Sequence, residues 1–396
     1  MVIAEPTAPA FEATLPGRYF HDPAIFAAEQ ERLFSTMWVC VGRADQIPEA
    51  GDYLVATVGN ESVLVMRGRD GEARAFLNVC RHRGAQLCSD PQGHLGQAVR
   101  CRYHAWSYGL DGRLLGAPNL ANDERLDRAA HGLIPVNLGV WQGLIWLNLS
   151  DQPASLTRQV EAPIEKRFGS LDAFARYGVG DLRVGRSISY EIDANWKLIV
   201  ENFMECYHCA PVHPELVRLL PDFRNGTSYQ RIPGEGTAFA TDIDAFTLSG
   251  AGERPRLPGL TATDDRLYYG FVLWPNVFVN LLPDHVILHR LEPLAPARSR
   301  VVCDWLFDPA EVARPGFDPT DTVDIFDVVN RQDWEVCELT QRGMTSRAYA
   351  QGGTYVANRA AHHGVPRSGV GKGRSRLVAA WSFDRLRMRR SCQERA

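Results

Sequence analysis

The chain has 396 residues, of which 45% are hydrophobic, and a formal net charge of −4 at pH 7. This length predicts two or three domains, and the nearly balanced charge gives no reason to expect a nucleic acid or an anionic membrane as a partner. No apolar run approaches the roughly 18 residues of a transmembrane helix, and residues 1–16 lack the basic and apolar regions of a secretory signal. Nine scattered cysteines then favour reduced thiols in the cytoplasm over a disulfide framework.

Two short runs each pair a cysteine with a histidine, Cys80-Arg81-His82 and Cys101-Arg102-Tyr103-His104. This set meets the needs of a Rieske [2Fe–2S] centre, in which two thiolates bind one iron and two imidazoles bind the other. Structural zinc is an alternative, but zinc sites favour like ligands paired in one knuckle. Chance proximity is a third interpretation. The mixed pairs predict a redox protein, with zinc and coincidence still open.

The flanking sequence predicts a small antiparallel sheet. Asp70-Gly71 and Asp111-Gly112 are typical of hairpin turns. Alternating or apolar runs around them are expected strands, at residues 53–58, 62–66, 73–79 and 106–115. The two ligand runs would then lie on loops that close over one cluster.

A second constellation begins with a predicted helix. Asn195 can cap its start, and apolar residues follow at helical spacing, namely Trp196, Ile199, Val200 and Phe203. Glu205 and His208 are three residues apart and would share a face of this helix. Together they offer a carboxylate and an imidazole on one surface.

His213 follows His208 by five residues, which on a straight helix is about 140° away from the His208 face. Both imidazoles can bind one metal only if the helix breaks between them. Pro211 supplies that break, and we expect Pro214 to prevent the helix from resuming. The spacing therefore predicts a helix end that folds the second imidazole back onto the first.

Two histidines and one carboxylate form the facial triad of non-haem Fe(II) oxygenases, which leaves positions open for O₂ and substrate. The carboxylate comes from Glu205 or from a predicted helix at residues 321–341, where Asp333 lies near the edge of a stripe formed by Ile325, Val328, Val329, Val336 and Leu339. Four other acids compete for the role, Asp324, Asp327, Glu335 and Glu338. Each acid could instead belong to a solvated helix face, and the histidine pair could be surface or capping residues.

With these motifs in order, the chain resembles the catalytic (alpha) subunit of the Rieske non-haem iron oxygenases. The matching pieces extend over nearly the whole length: residues 80–84, 101–106, 195–197, 201–214, 330–333 and 341–343. The resemblance implies an α+β fold, with an N-terminal antiparallel-β Rieske domain and a helix-grip catalytic domain in which a sheet wraps a long helix.

The resemblance also assigns the site. It implies that Cys80, His82, Cys101 and His104 hold a [2Fe–2S] cluster, and that His208, His213 and Asp333 hold a mononuclear iron. Family members are trimers or built from trimers, and electrons pass from the cluster of one subunit to the iron of its neighbour. An acidic residue joins the two centres, and Glu205 holds the matching position, where the family commonly has Asp. Asn202, in the same block, is the other candidate catalytic residue.

The chain has no dinucleotide-binding fingerprint, so we expect NAD(P)H to bind a separate reductase of the flavin or ferredoxin type. The block at 205–209 resembles the glycine betaine and carnitine oxygenase branch, which hydroxylates a methyl or adjacent CH₂ group of a quaternary ammonium compound. Ring dihydroxylation or O-demethylation of an aromatic compound stays open. Aromatic residues at 239–246 and 268–282 are candidates for the cavity wall, although most of them could be sheet core.

Four regions are expected along the chain. They are an N-terminal helical segment at residues 1–40 that packs on the catalytic domain, a Rieske domain at 41–155, a catalytic domain at 156–356 and a basic tail at 357–396. The tail carries ten basic and two acidic residues. We interpret it as an altered or divergent terminus in preference to an arm for an acidic partner, because it lacks the aromatic-rich final helix that the resemblance implies.

Overall fold

The protein is described by a computed structural model over residues 13–120, 123–226 and 233–354. Its N-terminal half is antiparallel β-structure, preceded by helix α1, Pro23–Glu29, which continues as a π-helical turn over Gln30–Phe34. Ten strands follow: β1 Val39–Arg43, β2 Asp52–Val58, β3 Glu61–Arg67, β4 Ala73–Leu77, β5 Gln92–His94, β6 Ala98–Arg100, β7 Ser107–Gly109, β8 Leu114–Gly116, β9 Pro135–Trp141 and β10 Leu144–Asn148.

These strands form two sheets. The larger has seven strands in the order β1-β10-β9-β4-β3-β2-β5, and the smaller is the meander β6-β7-β8. The predicted hairpin turns are confirmed, since Gly71 and Gly112 both have φ of +82°, a conformation that glycine adopts without steric cost. A separate hydrophobic cluster, which includes Leu64, Phe76 and Tyr108, lies between the two sheets and beneath both cysteine loops.

The C-terminal half is built on a third antiparallel sheet, which has six strands in the order β11-β16-β15-β14-β13-β12. Its strands are β11 Arg183–Ile192, β12 Thr237–Ala238, β13 Leu267–Leu273, β14 Val277–Leu281, β15 Val286–Ala295 and β16 Arg298–Phe307. Seven helices accompany it in the described residues: α2 Leu156–Phe168, α3 Leu171–Ala175, α4 Trp196–Phe203, α5 Cys209–Val212, α6 Pro214–Leu219, α7 Pro309–Val312 and α8 Thr320–Gly343.

Helix α8 is the long helix that the sequence predicts, and it packs against α4, α6 and β11. The predicted apolar stripe on it is only partly right, because Leu339 is exposed and Val328 and Val336 are half-buried. The buried side chains are Thr322, Val323, Ile325, Phe326, Val329, Asn330, Cys337 and Gln341. Polar Asn330 and Gln341 are buried because both are hydrogen-bonded within the interior.

A buried ion pair joins the N-terminal helix to α4. Lys197 Nζ lies 2.8 and 3.0 Å from the two carboxylate oxygens of Glu29, and Trp196 Nε1 donates to the same carboxylate at 2.9 Å. Burial lowers the pKa of Lys197, and Glu29 opposes that shift. Removing either partner would leave an uncompensated buried charge, which costs several kcal/mol, about 3–5.

Of the helices in the described ranges, none is both long enough and apolar enough to cross a membrane. The basic tail at 357–396 lies outside the described residues, as do residues 1–12 of the expected N-terminal segment. The domain boundaries stay predictions.

Candidate metal centres

The two cysteine–histidine loops have the same backbone design. The Cys80 N–H donates to Ala85 O at 2.8 Å, and the Cys101 N–H donates to Trp106 O at 2.8 Å. In each loop the residue four positions later donates back to the cysteine carbonyl, Gly84 at 3.0 Å and Ala105 at 3.1 Å. Gly84 and Ala105 both have positive φ, +73° and +58°. Two matched loops therefore present one cysteine and one histidine each.

The four side chains divide into a buried half and an outer half. Cys80 and Cys101 are buried, while His82 is exposed and His104 is half-buried. The two imidazole rings lie 4.6 Å apart, and His82 stacks on Trp106 at 5.0 Å. His104 Nδ1 is buried without a hydrogen-bond partner, as a nitrogen reserved for a metal would be. The donor set and this orphaned atom fit a Rieske cluster with its histidine iron outward.

A tyrosine holds the buried side of this centre. Tyr108 Oη lies 3.3 Å from Cys80 Sγ and accepts the backbone N–H of Arg81 at 3.0 Å. Burial and the neighbouring Cys80 raise the pKa of Tyr108, so the hydroxyl stays protonated and can donate to the sulfur. Hydrogen bonds to cluster sulfurs are one of the factors that set the reduction potential of such a centre.

In the second constellation, Asn195 caps α4 as predicted, with its side chain accepting the Lys197 N–H at 3.0 Å. The predicted helix end is wrong in position, because α4 stops at Phe203, before Glu205. Pro214 also begins a new helix, α6, where its missing N–H costs nothing. Pro211 lies inside the short helix α5, whose first turn needs no N–H donors. Glu205 and His208 therefore meet across a turn.

The fold brings His208, His213 and Asp333 together although Asp333 lies more than a hundred residues downstream. One ligand atom from each lies within 4.8 Å of the other two. Asp333 Oδ1 is 2.9 Å from His213 Nε2 and 3.2 Å from His208 Nε2. His213 is 1% exposed, and the other two are largely buried. Two imidazole nitrogens and one carboxylate oxygen converging on one point fit a facial triad for iron.

The far side of each imidazole has its own partner. His208 Nδ1 donates to Glu205 Oε1 at 2.6 Å, and the other oxygen of Glu205 accepts the Tyr207 N–H. His213 Nδ1 donates to Gln332 Oε1 at 2.8 Å, and Gln332 Nε2 donates to Glu215 at 3.1 Å. Both bonds fix the tautomer that turns Nε2 towards the metal position.

Sequence reasoning found Glu205 but missed the role of Gln332, whose only signal is its place directly before Asp333. Asn202, the other candidate, lies with its Nδ2 3.4 Å from His208 Nε2, at the edge of the triad. Two of the competing acids have other partners. Asp327 accepts hydrogen bonds from the Tyr190 hydroxyl and the Arg331 side chain, and Glu338 accepts one from the Asp193 backbone N–H.

Asp333 and the two histidines shift one another's pKa values. Burial opposes the charged form of Asp333, but hydrogen bonds from His208 and His213 outweigh it and lower the pKa of the carboxyl to about 2. Burial likewise opposes the charged form of His208, while Asp333 and Glu205 raise its pKa to about 10. The carboxylate is therefore ionised at neutral pH, and a cation can take the place of the protons on the imidazoles.

The predicted cavity wall divides between two faces of the sheet. Tyr268 and Phe278 belong to the hydrophobic cluster on the α8 side, where Tyr268 stacks on Phe246 at 6.1 Å and Phe278 stacks on Phe203 at 4.6 Å. Tyr269 and Phe271 belong to the cluster on the opposite side and pack against α2 and α3. The alternation of a strand explains the division. Tyr268 and Phe278 therefore lie on the same side of the sheet as α8, which carries Asp333.

A buried polar chain continues from this wall to α8. Tyr268 Oη donates to Asn280 Oδ1 at 2.5 Å, Asn280 Nδ2 lies 3.3 Å from His289 Nδ1, and His289 Nε2 lies 3.0 Å from Asn330 Oδ1. Burial lowers the pKa of His289 to about 4, so the ring is neutral at pH 7. This series of hydrogen-bonded side chains ends at Asn330, three residues before Asp333.

Two family models match the chain. The model described as "Rieske [2Fe-2S] domain" matches residues 37–136, and the model described as "Ring hydroxylating alpha subunit (catalytic domain)" matches residues 179–364. The glycine betaine monooxygenase oxygenase subunit of Chromohalobacter salexigens is 31% identical over 370 residues, which cover 86% of this chain and 81% of that protein. The carnitine monooxygenase oxygenase subunit of Escherichia coli K12 is 29% identical over 350 residues, 87% of this chain and 88% of that protein.

Solved structures give the same architecture. The quaternary ammonium Rieske monooxygenase CntA in complex with gamma-butyrobetaine has a TM-score of 0.69 at 25% identity, covering 89% of this chain and 90% of that one. Naphthalene 1,2-dioxygenase from Rhodococcus also has a TM-score of 0.69, at 23% identity over 90% of this chain and 89% of that one, and this likeness shows the fold alone.

Proposed function

The chain belongs to the Rieske non-haem iron oxygenases as a catalytic alpha subunit, and from that premise we propose that it oxidises a quaternary ammonium compound. It is an oxygenase whose cofactors are a Rieske [2Fe–2S] cluster and a mononuclear iron. The substrate is a betaine or carnitine-like compound, hydroxylated at a methyl or CH₂ carbon next to nitrogen. The resulting carbinolamine breaks into an amine and an aldehyde.

The observation that supports this proposal is a group of aromatic side chains in the hydrophobic cluster that also contains buried residues of α8, the helix of Asp333. Tyr268 stacks on Phe246, and Phe203, the neighbour of Asn202, stacks on Phe278. Faces of aromatic rings attract a quaternary ammonium group, by about 2 kcal/mol or more when both are desolvated. The two relatives named above are glycine betaine and carnitine monooxygenase subunits, which act on quaternary ammonium compounds. Their matches cover 86% and 87% of this chain.

We assign the ligands from the geometry and the resemblance together. Cys80, His82, Cys101 and His104 would hold the cluster, and His208, His213 and Asp333 would hold the iron on one face. When bound, the cluster supplies single electrons and the iron supplies the position at which O₂ is reduced beside the substrate. Glu205 and Gln332 would each fix one imidazole, so that Nε2 of both rings stays directed at the metal position.

Electrons would cross between subunits of a homotrimer. Tyr103, next to His104, is 58% exposed, and Tyr207, next to His208, is 66% exposed. Glu205 is 44% exposed, so its carboxylate oxygens can each accept a further hydrogen bond from another chain while they hold His208 and the Tyr207 N–H. Two exposed tyrosines beside the two centres suit a contact between the histidine tip of one subunit and the Glu205 turn of the next.

Reducing equivalents would come from NAD(P)H through a separate reductase. The setting would be the cytoplasm, which agrees with the eight described cysteines all being free thiols.

A substrate screen tests the proposal. The purified chain, loaded with both metals and supplied with a reductase and NADH, is offered glycine betaine, carnitine, gamma-butyrobetaine, benzoate and naphthalene. We expect formaldehyde or another aldehyde, in proportion to NADH, from a quaternary ammonium compound alone. Coupled turnover of an aromatic compound, with none from the ammonium compounds, would contradict the substrate class and leave the oxygenase assignment intact.

A further inference from the structure

Two cysteines flank the iron ligand His208 and are not ligands themselves. Cys206 and Cys209 occupy the sequence Cys206-Tyr207-His208-Cys209, and each is 3% exposed. Both are free thiols. A Cys-x-x-Cys spacing is the one found in redox-active dithiols, although spacing alone decides nothing.

The local backbone brings the two cysteines close together. The Cys209 N–H donates to Cys206 O at 3.2 Å, which closes a turn of four residues. Such a turn keeps its first and last Cα atoms within about 7 Å, close to the 4.4–6.8 Å span of disulfides. The two side chains therefore start from the first and last positions of one turn, within the Cα span of a disulfide. By contrast, the buried Cys303 contacts the Asn330 amide, and Cys337 contacts the Leu198 carbonyl.

This pair is built into the iron loop. Cys209 follows His208 directly, and its carbonyl accepts the backbone N–H of His213 at 2.9 Å. The dithiol is thus joined through the backbone to both histidines of the triad and is shielded from bulk solvent.

We propose that Cys206 and Cys209 form a reversible disulfide when O₂ is reduced at the iron without oxidation of substrate. This inference rests on the proposed iron site. Two electrons and two protons convert O₂ to hydrogen peroxide. One thiolate attacks the peroxide and becomes a sulfenic acid as the O–O bond breaks and hydroxide leaves. The second thiol then displaces the sulfenic oxygen as water, so two thiols and one peroxide give one disulfide and two waters.

The disulfide would act on the site through the backbone. It closes a small ring that contains Tyr207 and His208, and the ring begins next to Glu205. Closing it restrains the dihedral angles that place His208 between Glu205 and Asp333. The oxidised chain would hold iron in a changed geometry and stop consuming electrons until a thiol reductant opens the ring. The pair would therefore limit peroxide production when no substrate is bound.

The test uses one oxygen exposure of the full, metal-loaded chain without substrate. The protein is reduced with dithionite, freed of it under anaerobic conditions, and mixed with oxygenated buffer that contains catalase. Free thiols are then alkylated under denaturing conditions. Trypsin places both cysteines on one peptide, residues 198–218, because no lysine or arginine lies between Lys197 and Arg218.

We expect this peptide to lose two hydrogen atoms and to take no alkylating group, while Cys303 and Cys337 remain alkylated. Catalase should not protect the pair, since the peroxide arises inside the site. A nitric oxide EPR spectrum of the ferrous iron should change in the linked form and return after treatment with dithiothreitol. Cys206→Ser and Cys209→Ser should each stop at a sulfenic acid that dimedone traps, whereas Cys337→Ser should link like the wild type.

A parallel sample treated with diamide, which oxidises adjacent thiols without iron, separates the possible failures. Linkage by diamide but not by oxygen would overturn the peroxide source. Full alkylation of both thiols in both samples would overturn the proposed disulfide altogether. Product formation from a betaine in the same preparation reports on the proposed function independently of either outcome.

Discussion

Glu205 offers the sharpest test of how the two metal centres communicate. Its Oε1 accepts from His208 Nδ1 at 2.6 Å, and its other oxygen accepts the Tyr207 N–H. A hydrogen bond to a charged group is worth about 1.5–3 kcal/mol, and we take the lower end because the carboxylate is 44% exposed and water screens it. About 1.4 kcal/mol is a factor of ten, so Glu205→Ala should weaken iron binding by about tenfold.

At saturating iron, Glu205→Ala should therefore keep both metals but lose the carboxylate that orients His208. With substrate present, O₂ should reoxidise the reduced cluster about tenfold more slowly, or slower still, in this variant than in the wild type. The visible absorbance of the cluster measures this rate. Glu205→Gln keeps a hydrogen-bond acceptor for His208, so its reoxidation rate should lie between those of the wild type and Glu205→Ala. Glu191→Ala is the control, since Glu191 is 53% exposed, pairs with Arg300 and contacts neither histidine of the triad nor their partners. Wild-type reoxidation and product yield in Glu205→Ala would refute the role.

Three other changes give separate readouts. Tyr108→Phe removes a hydrogen bond to Cys80 Sγ and should lower the one-electron potential of the cluster by about 40 mV in a redox titration, if that bond is worth about 1 kcal/mol; an unchanged potential would contradict it. Asp333→Asn should lose at least about 90% of the mononuclear iron in metal analysis and keep the cluster spectrum; retention of that iron would exclude Asp333 as a ligand. The pKa of His289 falls from 6.5 to about 4 on folding. As the pH drops, the unfolded chain therefore binds this proton before the folded chain does. The free energy of unfolding should fall by about 3 kcal/mol between pH 6.5 and 4 because of this group. Chemical denaturation should show a smaller acid loss in His289→Gln, and an equal loss would contradict this assignment.

The parts of the site that could be read from sequence are those whose chemistry is local. The two cysteine–histidine runs predict a Rieske cluster because the ligand types and their mixed pairing have few other uses. The hairpins at Gly71 and Gly112 follow from a conformation that glycine tolerates best. The long helix that carries Asp333 follows from apolar periodicity.

What could not be read depends on tertiary contacts or on competing local rules. Pro214 suggests a stop, but at the first position of a helix proline is favoured, and only the fold shows which rule applies. Leu339 lies exposed on α8 because the helix turns a different face to the sheet. Gln332 has no motif that marks it, and its role appears only when α8 meets His213.

In the proposed function, electrons pass from the cluster of one subunit to the iron of its neighbour through Glu205. Co-expression of a Cys101→Ser chain, which lacks the cluster, with an Asp333→Ala chain, which lacks the iron, tests it directly when mixed oligomers are isolated with two affinity tags. We predict that the mixed oligomers reoxidise their clusters with O₂ and oxidise a betaine, although neither variant alone does so. Inactive mixed oligomers in which EPR detects both centres intact would contradict the claim.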